Sequence, residues 1–163
     1  MERLKIDISK ITISLLNKKD KEIINFIINR LSKKWFLSKE EVINTIIKPS
    51  LDKDNFYSTF IAKYHNEFVG KTILFIEEKG YLDINNQPWI TGVFVKEEFR
   101  DNGIGKELIE TAKKQAKQHG FKYVYLDTAQ SESYYENLGD WEKVGIDYWK
   151  EGNKNVTIMK IKL

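Results

Sequence analysis

Apolar residues recur along this chain with two different periods. Ile23, Ile24, Ile27, Ile28 and Leu31 repeat at helical spacing within "KKDKEIINFIINRLSKKW", which predicts a first helix. Ser38 and Glu41 form an S-x-x-E capping box ahead of "KEEVINTIIK", a second helix that Pro49 should stop. Residues 11–16 (ITISLL) are β-branched on both phases and read as a strand. From Phe56 onward the texture becomes aromatic and β-branched. "FYSTFIAKY" and "EFVGKTILFIEE" flank "HNE" and predict an antiparallel hairpin, followed by a strand at "PWITGVFV". Ile104, Leu108, Ile109, Ala112 and Ala116 then make one apolar stripe from about Ile104 to Gln118, with His119 and Gly120 as stop signals. "KYVYLD" reads as a strand, "SESYYENLG" as a short helix, and "NVTIMKIKL" as a closing strand. "DKDNF" and "DINNQP" read as loops.

The order is that of a mixed α/β domain. A strand–helix–strand unit over residues 89–127 implies one parallel pair joined by a right-handed crossover. The hairpin before it implies antiparallel pairing. With 163 residues and no linker, repeat or low-complexity stretch, one domain is expected over 1–163. A net charge of +3, from 27 basic and 24 acidic residues, is too mild for a nucleic-acid partner. No apolar run approaches a membrane span, and the N-terminus does not read as a secretory signal. A cytoplasmic monomer or homodimer is the expectation. The chain has no cysteine, which removes thiolate metal sites and cysteine nucleophiles. His65 and His119 are the only histidines and lie far apart, so no metal site is expected.

The stretch with chemical content is "FRDNGIGKEL", residues 99–108. It follows a predicted strand and opens a helix. Amides in the first turn of a helix lack intrahelical partners and sit at the positive end of the macrodipole. Gly103 and Gly105 let an anion approach that backbone, and Arg100 and Lys106 add positive charge. A plain turn with solvated charges fits the spacing as well. Walker A does not fit, and Leu108 occupies the third glycine position of G-x-G-x-x-G.

Three segments in order narrow the choice. Arg100-Asp101-Asn102-Gly103-Ile104-Gly105 resembles the R/Q-x-x-G-x-G/A loop of the GNAT superfamily of N-acetyltransferases. "VFVKEEFR" before it and "YYENLG" after it are similar to that family's flanking segments. The resemblance is close over residues 89–141. It implies a mostly antiparallel sheet with a central splayed parallel pair, flanked by helices. It also implies acetyl-CoA as acetyl donor and an amine-bearing acceptor, small molecule or peptide. Backbone amides of Asp101, Asn102, Gly103, Ile104, Gly105 and Lys106, with Arg100 just upstream, would cradle the pyrophosphate. Main-chain groups of the Val93-Phe94-Val95 segment would pair with the pantetheine arm. Tyr135 would protonate the departing thiolate, a task suited to a phenol with an ordinary pKa of about 10.

Two departures stand out. The family often has a glutamate early in the strand read here as "PWITGVFV", and this chain has Trp89 and no carboxylate there. The base that frees the acceptor amine is therefore unassigned. Glu77, Glu78 and Asp83 read better as loop acids, and His65 as a turn residue. "LGDW" stands where the family more often has "LGF", moving the aromatic to Trp141. Trp35, Phe36, Phe56 and Tyr57 flank the second helix, where core packing is the commoner use of aromatics.

Overall fold

The computed structural model describes residues 2–163. Seven strands form one sheet: β1 (Ile11–Leu15), β2 (Ser58–Tyr64), β3 (Glu67–Glu77), β4 (Gln87–Val95), β5 (Tyr123–Thr128), β6 (Glu142–Trp149) and β7 (Lys154–Lys162). Their spatial order is β1-β2-β3-β4-β5-β7-β6. All neighbours pair antiparallel except β4 and β5, which are parallel and joined through α4 (Ile104–Gln118). The β2–β3 turn uses His65 and Asn66, both at positive φ (47° and 67°), as a tight two-residue hairpin requires. His65 is thus a turn residue, as its place in the sequence suggests.

Helices cover both faces. On one, α4 buries Ile104, Leu108, Ile109, Ala112 and Ala116 against Leu74, Ile90, Val124 and Leu126. On the other, α1 (Lys21–Lys34) buries Ile27, Ile28 and Leu31 with Ile61 and Ile73 of the sheet. The short α2 (Lys39–Val42) starts at the expected capping box. Ser38 Oγ accepts from the Glu41 amide at 3.1 Å, and Glu41 Oε2 accepts from the Ser38 amide at 2.6 Å.

Two sequence expectations need correction. Helical backbone runs past Pro49, through a π turn (Ile43–Ile47) into α3 (Lys48–Leu51). The Lys48 amide reaches back five residues to the Ile43 carbonyl, so the helix is widened just ahead of the proline. Pro49 then falls in the first turn of α3, where its missing N–H costs little. The second correction is β6, which the sequence pattern did not predict. It is an edge strand with Val144, Ile146 and Tyr148 exposed and a register shift at Gly145, so its apolar residues do not mark a core face.

The parallel pair is the feature that makes a site. β4 and β5 pair at Trp89↔Tyr125 only. Around that point Pro88, Trp89 and Ile90 are buried; beyond them Thr91 to Val95 are all half-buried. The second half of β4 therefore lacks a strand on its β5 side. That is the opening a splayed pair leaves in a sheet.

Candidate functional site

The glycine loop lies at the end of the open half of β4. Asp101 (φ 64°) and Gly103 (φ 83°) turn the chain left-handed, and Gly103 is the N-cap of α4. No amide from Asp101 to Lys106 donates to another described residue; the first to do so is Glu107, to the Gly103 carbonyl at 3.1 Å. Six consecutive N–H groups are free at the positive end of a 15-residue helix. Ile104 is buried in the core and anchors the helix start, whereas the Lys106 side chain is exposed. Arg100 donates from Nε to the Val95 carbonyl at 3.2 Å, tying the loop back to β4.

Asn102 holds the loop from within. Its Nδ2 is shared among the carbonyls of Leu4 (2.7 Å), Phe99 (3.1 Å) and Arg100 (3.1 Å), and its Oδ1 accepts from the Ile6 amide at 3.2 Å. Leu4 also donates to the Glu98 carbonyl at 2.8 Å. Arg3 forms an ion pair with Asp101, offsetting the one acidic side chain in the loop. This lacing of the N-terminal segment to residues 98–102 was invisible in the sequence, because it joins residues about a hundred positions apart.

Along β4, Val93 and Val95 pack toward the α4 side. Phe94 turns to the other face, 5.2 Å from the Phe26 ring and with the Arg30 guanidinium 4.2 Å above it. The Val95 carbonyl is already taken by Arg100 and the Gly92 carbonyl by Lys71.

Two adjacent tyrosines on α5 (Glu132–Glu136) approach this region differently. Tyr134 sets its hydroxyl against Gly105, where a Cβ would collide with it. A Cβ there would require the exposed Tyr134 side chain to shift, whereas Gly103 carries a conformational need of its own. Tyr135 is half-buried, with its ring 5.2 Å from Tyr134 and 5.9 Å from Trp141. Burial, with Tyr134 and Asp127 nearby, pushes the Tyr135 phenol up to about 12. Trp141 itself is buried in the α4-side core, so the shift from "LGF" to "LGDW" leaves an aromatic in the packing.

On the α1 side the sequence reading missed Lys71. This lysine of β3 is 1% exposed. Its Nζ donates to the Gly92 carbonyl at 2.6 Å, and a Cβ on Gly92 would crowd that Nζ and lie 3.7 Å from the Trp35 ring. Burial, reinforced by Lys34 and Arg30, pushes Lys71 down to about 7. A lysine inside the apolar run "VGKTILF" was the available signal. Asp127 on β5 was also missed; burial raises its carboxyl, while Lys34 and Lys154 oppose the shift. Of the acids considered from sequence, Glu77 is half-buried at the end of β3, and Glu78 and Asp83 are exposed. The four aromatics divide. Trp35 lies near Gly92, and exposed Phe36 approaches the Trp149 ring at 6.1 Å. Phe56 packs on His119 and Phe121, and Tyr57 on Phe75, away from the opening. No cluster of metal-ligating side chains occurs among the described residues. No helix among them is long and apolar enough to cross a membrane.

The acetyltransferase (GNAT) family model matches residues 24–140. A comparison with curated proteins gives no significant match. Solved structures of similar fold include an aminoglycoside 6'-N-acetyltransferase complexed with coenzyme A (TM-score 0.69, 17% identity, 93% of this chain and 96% of that one). An acetyltransferase of Bacillus subtilis in complex with CoA is similar at TM-score 0.67 and 18% identity, over 94% and 99% of the two chains. A GNAT family acetyltransferase from Elizabethkingia anophelis with acetyl-CoA bound gives TM-score 0.64 and 19% identity over the same shares.

Proposed function

Because this chain belongs to the acetyltransferase (GNAT) family, we propose that residues 1–163 act as one domain that moves the acetyl group of acetyl-CoA to a primary amine. The observation that carries this reading is the run of six free amides, Asp101 to Lys106, beside the unpaired half of β4. Acetyl-CoA supplies an activated acyl group, already a thioester. The chain's residues bind it, place it and manage protons around it.

The free amides and the α4 dipole hold the pyrophosphate, with Arg100 and Lys106 adding charge at the rim. Main-chain groups of Val93 and Val95 that β5 has left unpaired align the pantetheine arm, while Phe94, in register with Lys71, directs its own toward β3. The Val95 contribution narrows to its N–H, since Arg100 occupies the carbonyl. Tyr135, protonated at neutral pH like any phenol, donates its proton to the leaving thiolate; burial raises its pKa and makes it a weaker acid than a free phenol. With no cysteine to carry an acyl group, the acceptor amine attacks directly.

A second reading, a coenzyme A-binding sensor without turnover, draws on the absence of a carboxylate from β4. Thiol release from acetyl-CoA by purified protein, with and without an amine panel, decides between them. Acceptor-dependent release is expected. Binding of acetyl-CoA with no release from any amine would favour the sensor.

A further inference from the structure

The α1 side of the opening carries both charge signs, in separate places. Arg30, Lys33 and Lys34, with Phe26 and Asn29, line a concavity of about 470 Å³ that contains no acid. Lys71 lies close to Arg30 and Lys34, with its Nζ on Gly92. None of these four cations takes part in an ion pair among the described residues. Asp127 lies on β5 two residues beyond the Trp89–Tyr125 pairing, at the open half of the strand pair, and Tyr81 is within Coulomb reach of it and of Glu151, Asp147 and Glu77. Lys34 stands between the two groups, within reach of Arg30, Lys154 and Asp127.

Like charges gathered without counter-ions raise the free energy of the empty site, and an anion placed among them lowers it. A carboxylate or phosphate on a guanidinium and an ammonium makes charge-assisted bonds. Asp127 offers the matching partner for an ammonium. A polycation could use the acids near Tyr81 but would also have to approach Arg30, Lys33 and Lys34, which an amine carrying its own anion would not.

We propose, resting on the acetyltransferase reading, that the acceptor is a zwitterion. It is an amine carrying its own carboxylate or phosphate, as α-amino acids do, with the anionic group at Arg30 and Lys34 and the amino group toward Asp127. This separates the chain from the polycationic acceptors implied by the name of its aminoglycoside-acetylating structural neighbour.

The test is acceptor-dependent thiol release at fixed acetyl-CoA. One panel holds the twenty amino acids and phosphoethanolamine; the other holds amino-acid amides, spermidine and kanamycin. The expected result is a preferred acceptor in the first panel, with kcat/KM at least about tenfold above its amide. Lys34→Gln, at an exposed position in the last turn of α1, should raise KM for that acceptor by about tenfold, and Arg30→Gln likewise. Neither should move the acetyl-CoA concentration giving half of the cofactor-induced rise in melting temperature. Preference for spermidine or kanamycin, or no release from any anionic amine, overturns the proposal. A shifted acetyl-CoA requirement in both variants with acceptor KM unmoved also overturns it, by assigning the cations to the cofactor's phosphates. Failure of acetyl-CoA to raise the melting temperature of the unaltered protein would instead defeat the underlying acetyltransferase reading.

Discussion

The two faces of β4 make their sites from different materials. Toward α4 the groups are main-chain ones, from Val93 and Val95 of β4 and from the Asp101–Lys106 run a few residues on. Toward α1 they are side chains: Arg30 and Lys34 from α1, Lys71 from β3, Asp127 from β5 and Lys154 from β7. A backbone site depends on where glycines and a helix start fall, and that is local. A side-chain site depends on which distant segments the sheet order brings together. In the function and acceptor proposed above, the first binds the donor and the second selects the acceptor.

Lys71 gives the largest expected effect and tests the α1 side. Its ordinary pKa is 10.5, and in the fold it is pushed down to about 7. Between those values the unfolded chain binds more protons than the folded one, so stability rises with pH from about 7 to 10.5. Below about 7 the full cost of burying the charge is present, about 5 kcal/mol. Lys71→Met should remove it. Unfolding measured from pH 6 to 9 should show the native protein gaining about 2 kcal/mol above pH 7 while the variant stays flat. Parallel curves would mean that Lys71 is not held in this way.

Tyr135 comes next and packs on the α4-side core. Tyr135→Phe should lower kcat by about 100-fold while leaving the acetyl-CoA requirement unchanged. An unaltered kcat would remove Tyr135 as the acid and turn attention to Tyr134, whose hydroxyl lies against Gly105. The smallest effect is on the α4 side. Asn102→Ala cuts the N-terminal segment from the loop and should cost about 1–3 kcal/mol of stability. A loss below a few tenths of a kcal/mol would show that this lacing is incidental.

The same contrast explains what the sequence made legible. The glycine loop was readable because Arg100, Gly103 and Gly105 need only a strand before them and a helix after. α4 was readable from its stripe, and the β2–β3 hairpin from the turn residues between two aromatic runs. β6 was missed because its apolar residues face solvent at a sheet edge, where alternation no longer reports burial. Pro49 misled because a π turn upstream widened the helix to receive it, and nothing in "INTIIKPSL" announces that. Lys71 was passed over inside a strand that scores well without it. Its meaning depends on Arg30, Lys34 and Gly92, which are neighbours only in the fold. Asn102 was placed correctly in the loop for its backbone. Its side-chain role toward Leu4 and Ile6 required the tertiary structure.

The proposed donor site depends on the free amides at the start of α4 binding the phosphates of acetyl-CoA. The direct measurement is acetyl-CoA titration followed by melting temperature, on the native protein and on Gly103→Val. Gly103 sits at φ 83°, where a β-branched residue is strained, so the variant distorts the amide run itself. The native protein should show a saturable rise in melting temperature, and the variant should need about tenfold more acetyl-CoA for the same rise. No rise in the native protein at millimolar acetyl-CoA, or equal requirements in the two proteins, would contradict the account.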